Sequence, residues 1–251
     1  MNKIIHINKE DILEFECPYK IKLNEIYSYF IFDQGHNLSC SITAAISLIE
    51  YLRQKEGKKF EKLSVSFLYH EVMLTEGISK NIGLKASSVI KALLKNGTCS
   101  QQKWLSSQNA LLEPSEDAVL DALSRIKHCC IEFIDTSIET IRYIIGFCER
   151  PIVAILNIYD KKRFYTMETS YDIVVPPKNS SDLSDKHSIL LVGYDDNEKV
   201  IYFQNSYGNE WGNCGFGRIS YDYIPFFSLL YSMDESCIKG DEYFTDSDDE
   251  I

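Results

Sequence analysis

Phe32-Asp33-Gln34-Gly35-His36-Asn37-Leu38-Ser39-Cys40-Ser41-Ile42-Thr43-Ala44-Ala45-Ile46-Ser47 runs from a polar, glycine-containing loop into a periodic apolar segment, with a cysteine at the join. From Ile42 the apolar residues recur at Ala45, Ile46, Ile49 and Leu52, the spacing of a helix with one buried face. Cys40 therefore opens a core helix. There the free N–H groups of the first turn and the positive end of the helix dipole favour thiolate over thiol. Gln34 carries two side-chain N–H donors that a tight Gly35 turn could aim back at the Cys40 sulfur. With the Cys40 backbone N–H they would form an oxyanion hole. A cysteine here could equally be a small buried hydrophobe, so the choice rests on what lies downstream.

The 251 residues, 45% hydrophobic and 25% charged, have ordinary globular composition. A net charge of −11 without any block of Lys and Arg argues against a nucleic-acid groove. Much of that acidity sits in residues 239–251, expected to be a solvated tail beyond a single catalytic domain over 1–238. The N-terminus lacks a signal-peptide core and no apolar stretch is long enough to span a bilayer, so no membrane partner is expected. With so little chain ahead of residue 32, no long pro-segment is expected either. The eight cysteines then read as free thiols in a reducing compartment rather than as a disulfide framework. His128-Cys129-Cys130 lacks a second Cys/His pair nearby, and no metal or organic cofactor is expected.

The chain after Cys40 divides by pattern. The first helix should stop near Gly57. Ser64 or Ser66 should cap a second helix that ends at Gly77, and Ala86–Lys95 should form a third before Gly97. Pro114-Ser115 should open a fourth running towards Ile126. Cys129–Ile134 reads as a strand, and Thr136 with Glu139 as a capping box before a helix through Cys148. From Pro151 onward Ile152–Ile158, Ser188–Tyr194, Lys199–Gln204 and Gly217–Tyr221 are β-branched and aromatic runs separated by turns. A helical lobe over about 30–128 is thus followed by a β-rich lobe over about 129–235, which the N-terminal segment should join through a strand around Met1–Ile7.

His187 stands at the mouth of the run Ser188-Ile-Leu-Leu-Val-Gly-Tyr, and Asn205 ends the next strand. Antiparallel pairing through the Asp195–Asn197 turn would bring the two together. An imidazole that takes a proton from a thiol needs its other nitrogen held, and an Asn oxygen does this without adding charge. Tyr207 and Trp211 follow closely and could screen that hydrogen bond from water.

Three separated segments, Asp33-Gln34-Gly35 to Ser39-Cys40, Lys186-His187-Ser188 to Gly193-Tyr194, and Gln204-Asn205-Ser206-Tyr207-Gly208 to Trp211-Gly212 and Gly215-Phe216, resemble the nucleophile loop, histidine strand and asparagine motif of the papain-like (C1) cysteine peptidases. The resemblance covers about residues 18–235 and is closest to the compact forms of bacteria and large DNA viruses. It implies an α+β, two-lobed fold with a helical left lobe, a β-barrel-like right lobe and a cleft between them. It also implies peptide-bond hydrolysis by an endopeptidase through an acyl-enzyme thioester. Cys40 would be the nucleophile, His187 its proton partner, Asn205 the residue orienting His187, and Gln34 the oxyanion donor; with the helix-terminus placement, the resemblance also implies a thiolate populated well below neutral pH. A monomer acting on a protein or peptide substrate, cytoplasmic or virion-associated, is the implied setting.

Some positions depart from the family pattern. Ser41 and Tyr207 stand where the family usually has Trp, and Asn37 stands where it has a disulfide cysteine. The glycine element lining the cleft has only Gly83 with Leu84 as its counterpart; Ser188, Tyr207 and Trp211 are the other expected cleft residues. Lys186 adds a positive charge beside His187 unless it points to solvent, and His36 should lie near the cleft rim. These departures leave open a second reading, an interaction module that keeps the groove with little or no turnover.

Overall fold

The computed structural model of the protein describes residues 3–12, 15–35, 38–77, 83–105, 112–125, 130–159, 164, 173–176 and 185–234. His36, Asn37, most of the 79–83 loop, His128, Cys129 and the acidic tail lie outside the described residues.

Four helices occupy the first half: α1 (Cys40–Lys55), α2 (Val65–Glu76), α3 (Ala86–Asn96) and α4 (Glu116–Ser124). Their ends follow local chemistry. Ser64 caps α2 by accepting the Phe67 N–H at 3.1 Å, and Gly77 closes it at φ 63°, a conformation glycine adopts without steric cost. Ser66 lies within α2, so Ser64 is the cap. Ser115 caps α4 in the same way through the Ala118 N–H.

The packing of α1 differs from the expected stripe. Residues 41–48 are all buried, and Leu48 and Tyr51 are shielded where Ile49 and Leu52 stay partly open. The helix lies against the sheet on one side and against α2 and α3 on another, so its first turns have no solvent face. Ile42, Ile46 and Leu48 are fully buried, at roughly 1.5–3 kcal/mol each. That burial holds the helix start, and Cys40 with it, against the sheet.

Among the described residues nine strands form one mixed sheet: β1 (Lys3–Ile7), β2 (Lys20–Lys22), β3 (Cys130–Ile134), β4 (Ile152–Ile158), β5 (Ile173–Val174), β6 (Asp185–Asp195), β7 (Val200–Gln204), β8 (Phe216–Ser220) and β9 (Phe227–Asp234). The order is β1-β3-β9-β4-β6-β7-β8-β5, with β2 added on β6. The β1/β3 and β5/β8 pairs are parallel and the rest antiparallel. β9 has no counterpart in the sequence reading. It follows a 3-10 turn containing Pro225 and returns to the middle of the sheet between β3 and β4. The capping box expected at Thr136 is displaced by one residue: Ser137 caps α5 (Ile138–Arg142) by accepting the Thr140 N–H at 3.1 Å. Asp135 draws the cap on, because its carboxylate takes both the Ser137 and the Thr140 hydroxyls. α5 then continues into a π-helical turn, Tyr143–Phe147.

The β6/β7 hairpin sets the register that matters for the site. Leu190 faces Gln204 and Leu191 faces Phe203, and a bulge then shifts the pairing to Gly193 opposite Tyr202. At Gly193 the crossing strand β2 comes so close that a Cβ would lie 2.2 Å from the Ile21 carbonyl oxygen. The Gly193→Ala variant is therefore expected to lose ~1–3 kcal/mol of stability from overpacking against backbone. Urea unfolding followed by far-UV circular dichroism reads this directly, and an unchanged midpoint would contradict the close crossing.

Candidate active site

Cys40 is the first residue of α1, preceded by the buried Ser39. The approach to it is held by a short antiparallel contact between two loops. The Gln34 N–H donates to the Ser206 carbonyl at 2.9 Å, the Gly208 N–H donates to the Phe32 carbonyl at 3.0 Å, and Asp33 pairs with Tyr207 between them. Gly35 turns at φ 52°, with its N–H donating to Asp33 Oδ1 at 2.9 Å. This contact carries Gln34 to the segment that holds Asn205. The Ser206 hydroxyl donates to Gln34 Oε1, so the carbonyl end of that amide is engaged and Nε2 is its donor end.

His187 and Asn205 meet where the β6/β7 hairpin opens, with Nε2 and Oδ1 2.7 Å apart. Both residues are 3% exposed. The same Asn205 oxygen accepts the Ser206 backbone N–H at 2.8 Å, which identifies it as the oxygen rather than the amide nitrogen. An acceptor on that side requires Nε2 to carry a hydrogen, and Nδ1 becomes the nitrogen that can exchange a proton. Tyr207 stacks on the imidazole at 4.7 Å between centroids and 24° between planes. Its hydroxyl is 3.1 Å from Nδ1. That hydroxyl is a hydrogen-bond partner for the ring nitrogen that Asn205 leaves open.

Phe164 completes the cover, edge-on to His187 at 5.7 Å. It is held in turn by Trp211, whose indole N–H donates to the Phe164 carbonyl at 3.1 Å. Phe164 was not singled out in the sequence, because it sits in a polar stretch between β4 and β5 with no strand or helix pattern around it. Behind these groups a small cavity between α1 and the β6/β7 hairpin is lined by apolar groups such as Phe32 and Leu190 as well as by the polar Thr43, Ser47, Ser188 and Asn205.

Burial by itself would push the Cys40 thiol up, but a hydrogen bond with His187, the charge of His187, and the backbone and hydroxyl donors of Ser188 bring it down to about 7. That is less far than the helix-terminus argument expects, and the desolvation of a largely enclosed sulfur is the reason. Ser41, the next residue, is buried and places its hydroxyl 2.9 Å from that of Ser188 and 3.2 Å from the Leu84 carbonyl. Gln34, Cys40, His187, Ser188, Asn205, Tyr207 and Trp211 thus fall in one region, with Leu84 joined to it through Ser41. Gly83 borders open space, and Lys186 is exposed.

A thiol of lowered pKa, an imidazole with one nitrogen fixed and a carboxamide donor nearby are together suited to nucleophilic attack on a carbonyl. The family model for papain family cysteine proteases matches residues 28–224. A protein of Acanthamoeba polyphaga mimivirus named an uncharacterized peptidase C1-like protein is 27% identical over 205 residues, 76% of this chain and 64% of the viral protein. The chain thus spans about two thirds of that relative's length, 64%. Among solved structures, xylellain, a cysteine protease from Xylella fastidiosa, superposes with a TM-score of 0.74 at 22% identity, over 87% of this chain and 85% of the other. A Carica candamarcensis cysteine protease in complex with E-64 gives 0.66 at 17% identity, over 87% and 99%. The chain belongs to the papain family of cysteine proteases, and its fold is the papain-like α+β fold.

The thiol environment predicts the pH dependence of alkylation. Since only the thiolate reacts, the iodoacetamide rate at Cys40 should rise with pH and reach half its maximum near pH 7. In His187→Ala both contributions of that imidazole, its hydrogen bond and its charge, are gone, and the midpoint should move up towards that of an ordinary thiol. Rates read by peptide mass at Cys40 across pH 5–10 check this; coincident profiles would contradict the contact.

Proposed function

We propose that this papain-family chain is a cysteine endopeptidase in which Cys40 and His187 form a thiolate–imidazolium pair, Asn205 orients His187 and Gln34 supplies an oxyanion donor. The observation that carries the reading is the fixed imidazole: Asn205 Oδ1 lies 2.7 Å from Nε2, and His187 is among the groups that lower the Cys40 pKa to about 7.

The Cys40 thiolate attacks the scissile carbonyl carbon, forming a C–S bond and moving an electron pair to the oxygen. Gln34 Nε2 and the Cys40 backbone N–H donate to that oxyanion. The engagement of Gln34 Oε1 by Ser206 holds the amide in one orientation, so no reorganisation is needed as charge develops. The His187 proton passes to the leaving amine as the C–N bond breaks, leaving a thioester and a neutral imidazole. That imidazole then takes a proton from water, whose oxygen attacks the thioester, and collapse returns the thiolate and imidazolium. Throughout, Nε2–H stays on Asn205, so proton traffic runs through Nδ1 alone. Tyr207, Phe164 and Trp211 keep water off the His187–Asn205 bond, and the cleft residues Gly83, Leu84 and Ser188 border the path of an extended peptide.

Two variants and one probe test the proposal. The wild-type protein should hydrolyse an unstructured protein substrate at internal bonds and be labelled at Cys40 by an epoxysuccinyl thiol probe. Cys40→Ala should abolish both. Gln34→Ala should lower kcat by about 10²–10³, with labelling by iodoacetamide, which forms no oxyanion, left near the wild-type rate. Labelling of wild-type Cys40 no faster than of the other cysteines in the folded protein would overturn the proposal in favour of a groove-binding module.

A further inference from the structure

We propose that Tyr207 is a positioning residue for His187, its phenol hydroxyl occupying Nδ1 in the resting site so that the imidazole takes a proton only when that hydrogen bond is released. The inference rests on the peptidase reading of Cys40 and His187 and concerns what holds back the proton transfer between them. The Tyr207 hydroxyl lies 3.1 Å from Nδ1, and the two rings stack at 4.7 Å between centroids. The phenol is held there from several sides. Phe164 and Trp211 meet its ring edge-on at 6.4 Å and 6.1 Å. Its backbone is bridged to Asp33, and the N–H of the next residue, Gly208, donates to the Phe32 carbonyl at 3.0 Å.

The direction of the bond follows from the other side of the imidazole. Asn205 Oδ1 accepts the Ser206 N–H and accepts from Nε2, so a neutral ring presents a lone pair at Nδ1. Against a lone pair the phenol must donate. A hydrogen bond made to the neutral form of a titrating group disfavours its charged form. When the Cys40 proton moves to the ring, the S–H bond breaks, its electron pair stays on sulfur and an N–H bond forms at Nδ1. The phenol O–H must then turn away, because two hydrogens cannot share that position. Tyr207 therefore holds the thiol–imidazole pair against the thiolate–imidazolium pair, the opposite sense to Asn205, whose oxygen supports the imidazolium. A phenyl or indole in the same stack would shield the ring without this opposition. The other charged or titratable groups around His187 are placed differently. Lys186 is exposed and its backbone N–H donates to Asp185, the Asp33 carboxylate accepts the Gly35 N–H, α1 supplies Cys40, and β4 presents the apolar Leu156 opposite His187.

Tyr207→Phe in the full-length, reduced protein tests this, because it keeps the stacked ring and removes the hydroxyl. The midpoint of the pH profile for Cys40 alkylation by iodoacetamide should fall by about half to one pH unit, so that the rate at pH values below it rises roughly three- to tenfold. The acid limb of kcat/KM for peptide hydrolysis should move down with it. Tyr207→Trp, which also lacks the hydroxyl, should shift both in the same sense. In a Cys40→Ala background, where no thiol proton reaches the ring, adding Tyr207→Phe should make the His187 imidazole titrate at higher pH, read from its ¹⁵N resonances. Circular dichroism and the urea midpoint identify a variant that has not folded, and the other variant then decides. A Tyr207→Phe profile that coincides with wild type would overturn the proposal. So would one displaced to higher pH, since the hydroxyl would then be supporting the imidazolium as an acceptor. In both cases peptide hydrolysis by the wild type would leave the peptidase reading standing. A wild-type Cys40 that titrates as an ordinary thiol and hydrolyses nothing would overturn the peptidase reading itself, and the role of Tyr207 with it.

Discussion

The enclosure of α1 against β6 is the constraint on which the site depends. A helix whose first turns are buried on every side cannot rotate or slide without opening space in the core, and close-packed interiors resist that. Its N-terminus is therefore delivered to one place on the sheet, the start of β6, where His187 and Ser188 stand. The backbone there is fixed independently by the hairpin to β7 and by the crossing of β2 at Gly193. Two rigid elements meet at Cys40. The loop preceding the helix is tied to the segment after β7 by backbone bonds, so Gln34 is referenced to Asn205 and Ser206 rather than to its own flexible neighbours.

The same enclosure sets the electrostatic problem. Bringing a sulfur into a largely dry site favours the neutral thiol, and each donor near it works against that penalty. His187 contributes a hydrogen bond and a charge, and Ser188 contributes two neutral donors. Because burial opposes them, the balance settles near neutral pH instead of far below it. An imidazole could respond to such a site by rotating or changing tautomer. The Asn205 oxygen prevents this, since it is already pinned by the Ser206 N–H and can only accept from Nε2. Aromatic cover from Tyr207, Phe164 and Trp211 keeps that bond in a low dielectric, where it is stronger than in water.

Much of this arrangement was legible in short strings of residues. The helix beginning at Cys40 announces itself by apolar period, the His187 strand by its β-branched run, and the nearness of Asn205 by the turn between two strands. These are local signals, and the fold preserves them because secondary structure and core pattern agree. What escaped the sequence is what depends on residues far apart. Phe164 covers His187 from a stretch with no periodicity, and β9, which follows a turn containing Pro225, enters the sheet between β3 and β4, strands far from it in the chain. The depth of α1 was also missed, because a stripe at Ile42, Ala45 and Ile46 shows that one face is buried but not that the other faces are covered too. Desolvation of the Cys40 sulfur is hidden for the same reason: helix position is visible in sequence, burial is not.

Ser41 and Ser188 show what a departure from a family pattern can mean physically. Where relatives usually place a large aromatic beside the nucleophile, this chain has a small polar residue, and a buried hydroxyl costs free energy unless it is bonded. One serine alone would be a liability in that position. Two of them, facing each other across α1 and β6, satisfy one another and the Leu84 carbonyl, so the polar pair is accommodated in a dry interior. An aromatic side chain would bury more surface and hold the two elements together by packing alone. The hydroxyl pair gives up some of that area and ties α1 to β6 by a hydrogen bond instead. At this position the two elements are thus held by polar pairing rather than by shape.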